Sequence, residues 1–201
     1  MRPGKLVLLI ILLMQSYEGK SQVEKDNWMI GGQINGAFQK FGEETQFKNR
    51  SIEISITPKA GYFVLDKFAV GINTGYSFTH SKYFNSSISD WDENSFSRFT
   101  PGIFTRYYFL APASKINLFG ELAGGLRLAA FKSDNGDTKY NGYQYSGAFG
   151  MAYFLNKTVS LETSLMYQYQ TENSHSPGVH NIILNLGFQV YLSPKKSSKK
   201  Q

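Results

Sequence analysis

The hydrophobicity of this chain alternates with a period of two residues from residue 27 to residue 192. In the first run, Trp28, Ile30 and Ile34 alternate with residues such as Gln33 and Asn35. Successive side chains of a β-strand point to opposite faces, so each run predicts a strand with one apolar and one polar face. We predict eight strands, at residues 27–39, 50–64, 68–80, 96–110, 115–131, 143–155, 159–171 and 179–192.

These strands predict an all-β fold, an eight-stranded antiparallel up-and-down transmembrane β-barrel with an apolar exterior and a polar interior. A lipocalin-like soluble barrel is the alternative, and its alternation would be inverted. Short connections alternate with longer ones, at residues 40–49, 81–95, 132–142 and 172–178. Outer-membrane barrels have short periplasmic turns and longer extracellular loops, so we expect both termini on the periplasmic side. Matching the faces across two short turns predicts that Val64 pairs with Phe68 and Leu110 with Lys115.

Residues 1–21 have the pattern of a signal peptide. A basic start precedes nine apolar residues, 6–14, and small residues flank the expected cleavage site between Ser21 and Gln22. A membrane anchor is the alternative, but a spanning helix needs about 20 apolar residues. We therefore expect a barrel at residues 22–192 and a disordered Lys-rich periplasmic tail at residues 193–201.

The net charge and the amino-acid composition exclude several classes of function. Removing residues 1–21 lowers the net charge from +6 to +4, and four lysines of the tail account for the remainder. The barrel is then neutral, so we expect no nucleic-acid partner. The absence of cysteine excludes disulfides and thiolate sites.

Aromatic residues of the outward set sort into two levels along the barrel. Rings favour the membrane interfaces, so two girdles around an aliphatic belt favour a membrane barrel. The girdle near the short turns holds Trp28, Tyr62, Phe68, Tyr107, Phe109 and Tyr153, and the girdle near the long loops holds Phe38, Tyr76, Phe78, Phe99, Tyr143, Tyr145, Tyr167 and Tyr169.

Charged residues on the inward face predict an ion-pair network. The predicted register places Arg106 diagonal to Glu121, which predicts an ion pair that Lys59 and Glu162 join. Such a network could line a selective pore or form a polar plug, and eight strands enclose a space that side chains fill, which favours the plug. The predicted network residues are Glu53, Lys59, Arg106, Glu121, Arg127 and Glu162.

Catalytic and metal sites find little support. His80 and His180 are expected at the outer rim and His175 in the last loop, each without a partner on its own face. A lipid-modifying enzyme is therefore a minor alternative, and we expect no cofactor. Acidic clusters at residues 90–93 and 134–137 could bind a divalent cation that bridges to lipopolysaccharide phosphates, but solvated turns have the same composition. Trp91 with its aromatic neighbours could instead contact a surface ligand.

Several segments resemble the small outer-membrane β-barrel family of OmpX/OmpA-like proteins, especially its Bacteroidetes-type members. These are Pro58–Phe63, Phe68–Phe78 (FAVGINTGYSF), Phe104–Leu110 (FTRYYFL), Leu118–Leu126 (LFGELAGGL) and Leu186–Leu192 (LGFQVYL). The resemblance implies insertion by the barrel-assembly machinery, with Phe188, Val190 and Leu192 as the C-terminal signal, although the Lys-rich tail departs from the family's aromatic ending.

Together these patterns predict a non-enzymatic outer-membrane barrel of a Gram-negative cell envelope, in contact with the lipid bilayer and lipopolysaccharide. Its expected work is structural, or the presentation of its outer loops to a partner. A narrow porin for small solutes is the alternative.

Overall fold

Each amphipathic run forms a strand in the computed structural model, which describes residues 22–41, 49–85, 90–112, 114–133, 136–171 and 178–194. Each strand pairs antiparallel with its neighbour in sequence, and β8 pairs with β1, so the sheet closes. The predicted eight-stranded antiparallel barrel is confirmed. Within these ranges, no helix is long and apolar enough to cross a membrane. The strands are β1 (Trp28–Phe41), β2 (Asn49–Leu65), β3 (Phe68–Asn85), β4 (Asp90–Tyr108), β5 (Ile116–Ser133), β6 (Gly136–Phe154), β7 (Val159–Gln170) and β8 (Val179–Leu192).

The two faces of the wall have opposite chemistry. Outward side chains such as Ile72, Leu122 and Ile182 are 62%, 68% and 76% exposed. Inward side chains include fully buried Arg106 and Asn117. A soluble barrel buries its apolar face and exposes its polar face. This barrel has the opposite arrangement, which suits a wall surrounded by lipid.

Two of the predicted long loops are instead extended hairpins. The ladder between β3 and β4 continues to the pair Asn85–Asp90, and that between β5 and β6 continues to Ser133–Gly136. The loop assignments at 81–95 and 132–142 were therefore wrong. Crossing a bilayer takes roughly 9–11 residues of tilted strand, so strands of this length extend beyond the lipid. Both faces of such an extension meet water, and the period-two signal disappears.

The predicted pairing of Val64 with Phe68 is wrong, because the β2–β3 hairpin contains a bulge. Leu65 pairs with Phe68, and the next pair joins Phe63 to Ala69. Val64 is the extra residue, as expected of a β-bulge. The turn is correspondingly tight, and Lys67 has a positive φ of 66°.

The predicted pairing of Leu110 with Lys115 is also wrong. The β4–β5 ladder ends at Tyr108–Phe119. Beyond it, the Asn117 side chain accepts a hydrogen bond from the Leu110 backbone N–H at 2.9 Å and donates to the Ala111 carbonyl at 3.2 Å. These two bonds hold a longer turn than the alternation suggests, and the register moves by two residues. An even shift keeps every side chain on its predicted face.

The apolar core lies inside the barrel, near the end that carries the turns β2–β3, β4–β5 and β6–β7, which we call the short-turn end. A polar interior was the expectation, so this aromatic layer is a departure from it. The buried cluster consists of Val23, Met29, Phe63, Ala69, Phe104, Tyr108, Phe119, Ala152, Phe154 and Tyr191.

The segment 22–27 crosses the mouth of the barrel at the short-turn end. The Val23 carbonyl accepts from the Lys67 N–H at 2.7 Å, and the Asp26 N–H donates to the Phe63 carbonyl at 2.9 Å. On the other side, Gln22 Nε2 donates to the Asn156 carbonyl at 3.4 Å. The segment is thus held at the β2–β3 turn and at the β6–β7 turn, and its Val23 side chain is fully buried in the apolar core.

Candidate functional site: the lumen

Arg106 on β4 is the centre of the lumen. The observed register places it directly opposite Glu121 on β5 rather than diagonal to it. Its Nε and Nη2 donate to Glu121 Oε2 at 2.8 and 2.6 Å. Its Nη1 donates to the two carboxylate oxygens of Glu162 on β7, at 2.8 and 2.9 Å. One guanidinium therefore links two carboxylates that project from different sides of the barrel.

Lys59 on β2 completes the charge balance. Its ammonium forms an ion pair with Glu121 Oε1, and it lies 5.5 Å from the centre of the Phe104 ring. The Arg106 guanidinium stacks on Phe119, 4.1 Å from the ring centre. Two cations and two carboxylates meet in this cluster. Because buried charges are costly unless paired, the matched arrangement explains how all four are accommodated away from water.

Two tyrosine hydroxyls extend the network toward β8. Tyr108 accepts a hydrogen bond from Arg106 Nη1 at 3.0 Å, and its hydroxyl lies 2.8 Å from that of Tyr191. Tyr191 in turn donates to Glu162 Oε1 at 3.3 Å. We call Lys59, Arg106, Tyr108, Glu121, Glu162 and Tyr191 the Arg106 cluster. It reaches from β2 to β8 across the lumen, and the aromatic layer lies beneath it.

The other predicted network residues lie outside this cluster. Glu53 Oε1 lies 3.7 Å from Nη1 of Arg98, a residue that the sequence interpretation did not include. Arg127 is buried near the end of β7, where its Nη1 donates to the Thr171 carbonyl at 3.4 Å. The six predicted residues therefore divide into one cluster of four and two separate positions nearer the long hairpins.

A small polar cavity lies above the Arg106 cluster, on the side of the long hairpins. Its volume is about 90 Å³, which is enough room for water molecules. Lys59 and Glu121 line it together with carboxamides and hydroxyls of six other strands, and Met166 and Ile183 add apolar side chains. Polar lining residues include Gln33, Asn35, Ser55, Thr57, Asn73, Ser77, Thr100, Gln144, Ser146, Gln168 and Asn185.

The predicted girdle residues whose side chains are described lie on the outward face. Trp28 contacts Tyr62 with ring centres 5.1 Å apart, and Tyr107 contacts Phe109 at 5.4 Å. Most are more than a third exposed, as rings at a lipid interface are. Outward and at least partly exposed are Trp28, Tyr62, Phe68, Tyr76, Phe78, Phe99, Tyr107, Phe109, Tyr143, Tyr145, Tyr153, Tyr167 and Tyr169. The Phe38 side chain lies outside the described part.

Neither of the two described histidines, His80 and His180, lies in a catalytic arrangement with the residues described around it. His80 Nδ1 lies 3.5 Å from Ser95 Oγ, and His180 Nδ1 lies 2.5 Å from the Tyr167 hydroxyl. His180 also contacts the Tyr169 ring at 4.9 Å on the outward face. His175 and the side chains of the two acidic clusters at 90–93 and 134–137 lie outside the described residues. Among the residues described, no group of three potential ligands is placed to hold a metal ion.

No protein-family model matches the chain, and no curated protein does. Three crystal structures are similar to the chain. The N-terminal β-barrel domain of Pseudomonas aeruginosa OprF is 11% identical over 84% of this chain and 98% of that one, with a TM-score of 0.50. Neisserial surface protein A is 16% identical over 82% and 94%, with a TM-score of 0.49. The attachment invasion locus protein Ail of Yersinia pestis is 13% identical over 84% and 99%, with a TM-score of 0.47.

The fold is that of transmembrane barrels. The likeness to the OprF domain extends over nearly all of that domain, and at 11% identity it concerns the fold alone. With an apolar exterior and a filled polar interior, the chain is a small barrel of this type.

Besides the aromatic layer, the sequence interpretation missed Tyr191 and Arg98, whose polar groups make contacts in the lumen. Tyr191 and Arg98 both follow from the alternation, because each has the parity of an inward residue on its strand. An aromatic residue beside Gln189 in an apolar strand gives no polar signal of its own, so only the parity of β8 could have identified Tyr191.

Proposed function

We propose that this chain is an integral outer-membrane β-barrel that does not conduct and is not an enzyme. It stabilises the envelope or presents its outer hairpins to a partner. The observation that carries this proposal is the Arg106 cluster, whose side chains extend across the lumen from β2 to β8. Segment 22–27 covers the mouth below it. A solute would have to displace both.

Planar-bilayer recording tests this proposal directly. The purified full-length mature protein is expected to give no reproducible conductance steps. A double variant, Arg106→Ala with Phe119→Ala, removes two of the largest buried side chains of the plug and serves as the positive control, because it is expected to conduct. Regular steps from the unmodified protein would instead favour the narrow porin.

The same proposal includes the orientation and processing of the chain. Residues 1–21 act as a signal peptide that is removed on export, residues 193–201 form a periplasmic tail, and the short-turn end faces the periplasm. Support comes from the fold, in which Gln22 and the end of β8 lie at the short-turn end. Intact mass of the protein from outer membranes is expected to match a chain that begins at Gln22.

The outer hairpins are the proposed surface for a partner. The β3–β4 and β5–β6 hairpins are the longest in the described barrel, and both lie opposite the short-turn end. The lipid bilayer and lipopolysaccharide surround the wall, and the barrel-assembly machinery inserts it. An epitope inserted between Asn85 and Asp90 is expected to bind antibody on intact cells. Binding only after permeabilisation would reverse the orientation.

A further inference from the structure

The seam between β1 and β8 is hydrogen-bonded over only part of its length. Its ladder runs from the pair Trp28–Leu192 to the pair Ile34–Leu186. Both strands continue beyond it, and no pair in the described chain joins residues 36–41 to residues 179–184. Each of these segments is paired on its other side, with β2 or with β7. Two strand edges therefore face each other in the half of the wall toward the long hairpins.

These edges lie at the depth of lipid. Ile182 and Leu184 point outward from the β8 edge and are 76% and 65% exposed. Unpaired backbone groups are costly in hydrocarbon and are tolerated where they line a water-filled cavity. The polar cavity of the lumen supplies this condition, because Asn35, Ile183 and Asn185, from the two edge strands, line it.

The cavity has hydrogen-bonding capacity that the described residues do not use. Asn35 Nδ2 donates to Asn185 Oδ1 at 3.0 Å, next to the last ladder pair of the seam. The Asn185 amide nitrogen itself has no hydrogen-bond partner among the described residues, although the residue is only 1% exposed. Ser77 Oγ also lines the cavity and is likewise buried without a hydrogen-bond partner among the described residues. Buried polar groups are normally satisfied, so these atoms indicate a polar occupant of the cavity.

An apolar strip leads from this cavity to the seam. Met166 and Ile183 face inward from β7 and β8, where they form a cross-strand pair in an otherwise polar lining. Ile183 lies within the unpaired stretch of β8. A molecule that touches both the carboxamides and this strip must itself have a polar end and an apolar end.

We propose that the open half of the β1–β8 seam is a lateral binding site for a single-chain amphiphile of the surrounding leaflet. Its small, uncharged, hydroxyl-bearing head lies in the cavity and accepts a hydrogen bond from Asn185. Its tail passes along Met166 and Ile183 and leaves between the strands into the bilayer. The head is uncharged because the ionic groups that line the cavity are already paired, Lys59 with Glu121 and Arg98 with Glu53. The site goes beyond the proposed structural role and ends at the Arg106 cluster, so it binds without conducting.

Photolabelling tests the site. The probe is 1-monododecanoylglycerol with a diazirine near the ester end of its tail, which is the part that passes Met166 and Ile183, added to the full mature protein in phosphatidylcholine nanodiscs. Saturable labelling is expected on Met166 and Ile183, at least tenfold above Leu122 on the β5 wall. Unlabelled monododecanoylglycerol should compete about tenfold better than dodecanoate. Asn185→Ala should weaken competition about fivefold, as loss of one hydrogen bond does. Asn73→Ala, in the same lining but on β3, should change it less than twofold.

Closing the seam gives a second, independent readout. The chain has no cysteine, so Ala37→Cys with Ile183→Cys introduces a single pair across the seam in the register of the existing ladder. Oxidation should lower labelling at least tenfold relative to the same protein when reduced. The control pair, Gln39→Cys with Ser51→Cys, lies on the paired side of β1 and should change nothing. If the seam pair fails to oxidise, Met166→Gln takes its place and should lower labelling at least fivefold.

Three results would overturn the site. Labelling spread evenly over the outward face would mean ordinary lipid contact. Unchanged labelling after oxidation or after Met166→Gln would show that the probe does not bind through the seam. A dimer in nanodiscs that the seam disulfide abolishes would make a second copy's strand the occupant. None of these results depends on bilayer conductance, so the proposed plug can fail or survive separately.

Discussion

Replacing Arg106 with leucine tests how much of the stability resides in the lumen. Arg106 donates hydrogen bonds to Glu121, Glu162 and Tyr108. After Arg106→Leu, Glu121 keeps Lys59 as its cation. Glu162 loses its cation and keeps longer hydrogen bonds from Tyr191, Tyr108 and Gln189, at 3.3, 3.5 and 3.5 Å. Removing one partner of a buried ion pair typically costs about 3–5 kcal/mol, because a buried charge is left uncompensated. We expect a loss of stability in this range.

Arg98→Leu is the matched control, since Arg98 faces inward on the same strand. Its contact with Glu53 is longer, at 3.7 Å, and Glu53 is 35% exposed. An ion pair of this kind is worth about 0–1 kcal/mol. The assay is reversible urea unfolding in phosphatidylcholine vesicles, followed by tryptophan fluorescence and by the mobility shift of the folded barrel on gels.

The double variant Arg106→Leu with Glu162→Gln distinguishes the cost of an unpaired buried carboxylate from the cost of losing the packing of the Arg106 side chain. We expect it to recover part of the loss, because one of the two carboxylates is then neutral. If Arg106→Leu and Arg98→Leu destabilise equally, the reasoning that places the stability in the Arg106 cluster is refuted.

Three further changes probe the wall and the turns with the same unfolding assay. Gly150→Ala should cost about 1–3 kcal/mol through overpacking, because a Cβ there would lie 2.5 Å from the Phe119 ring. Gly147→Ala is the control and should be nearly neutral, because its Cβ would make an ordinary 3.6 Å contact. Equal effects of the two variants would contradict the packing around Gly150. Ile72→Lys should cost about 2–4 kcal/mol, because Ile72 is assigned to the middle of the bilayer. Asn141→Lys, at the outer rim, should cost about 0–1 kcal/mol. A larger cost for Asn141→Lys than for Ile72→Lys would contradict these membrane depths. Asn117→Ala should cost about 1–2 kcal/mol through the two turn hydrogen bonds that it removes, and an unchanged midpoint would show that the turn holds itself.

The alternation was sufficient to predict the barrel because lipid and lumen impose opposite requirements on successive residues. It stopped being informative where the strands leave the bilayer. Phe84 and Trp91 pair across the β3–β4 hairpin, and Lys132 pairs with Asp137 across β5–β6. A strand segment beyond the bilayer has no lipid-facing side, so its sequence need not alternate and it was predicted as loop.

The register errors have a different origin. Face matching fixes the parity of a pairing but leaves shifts of two residues undetermined. The β4–β5 turn was resolved by Asn117, whose side chain binds the turn backbone at two points. Arg106 and Glu121 were expected to meet on either register, because a long side chain reaches a diagonal as well as a direct partner. The bulge at Val64 leaves no signature in the alternation, because Phe63 keeps its inward position up to the bulge and only Leu65, the last residue of β2, departs from the pattern.

Segment 22–27 acts as a cross-brace for the whole ring. It is fastened to the β2–β3 turn at Lys67 and to the β6–β7 turn at Asn156, which belong to opposite arcs of the wall. Flattening the barrel along that line would lengthen the Gln22–Asn156 hydrogen bond, which at 3.4 Å is the longer of the two attachments. A circular permutant that opens the chain elsewhere and joins Pro194 to Gln22 would put this brace in mid-chain, where linker length would set its tension and hence the roundness of the barrel.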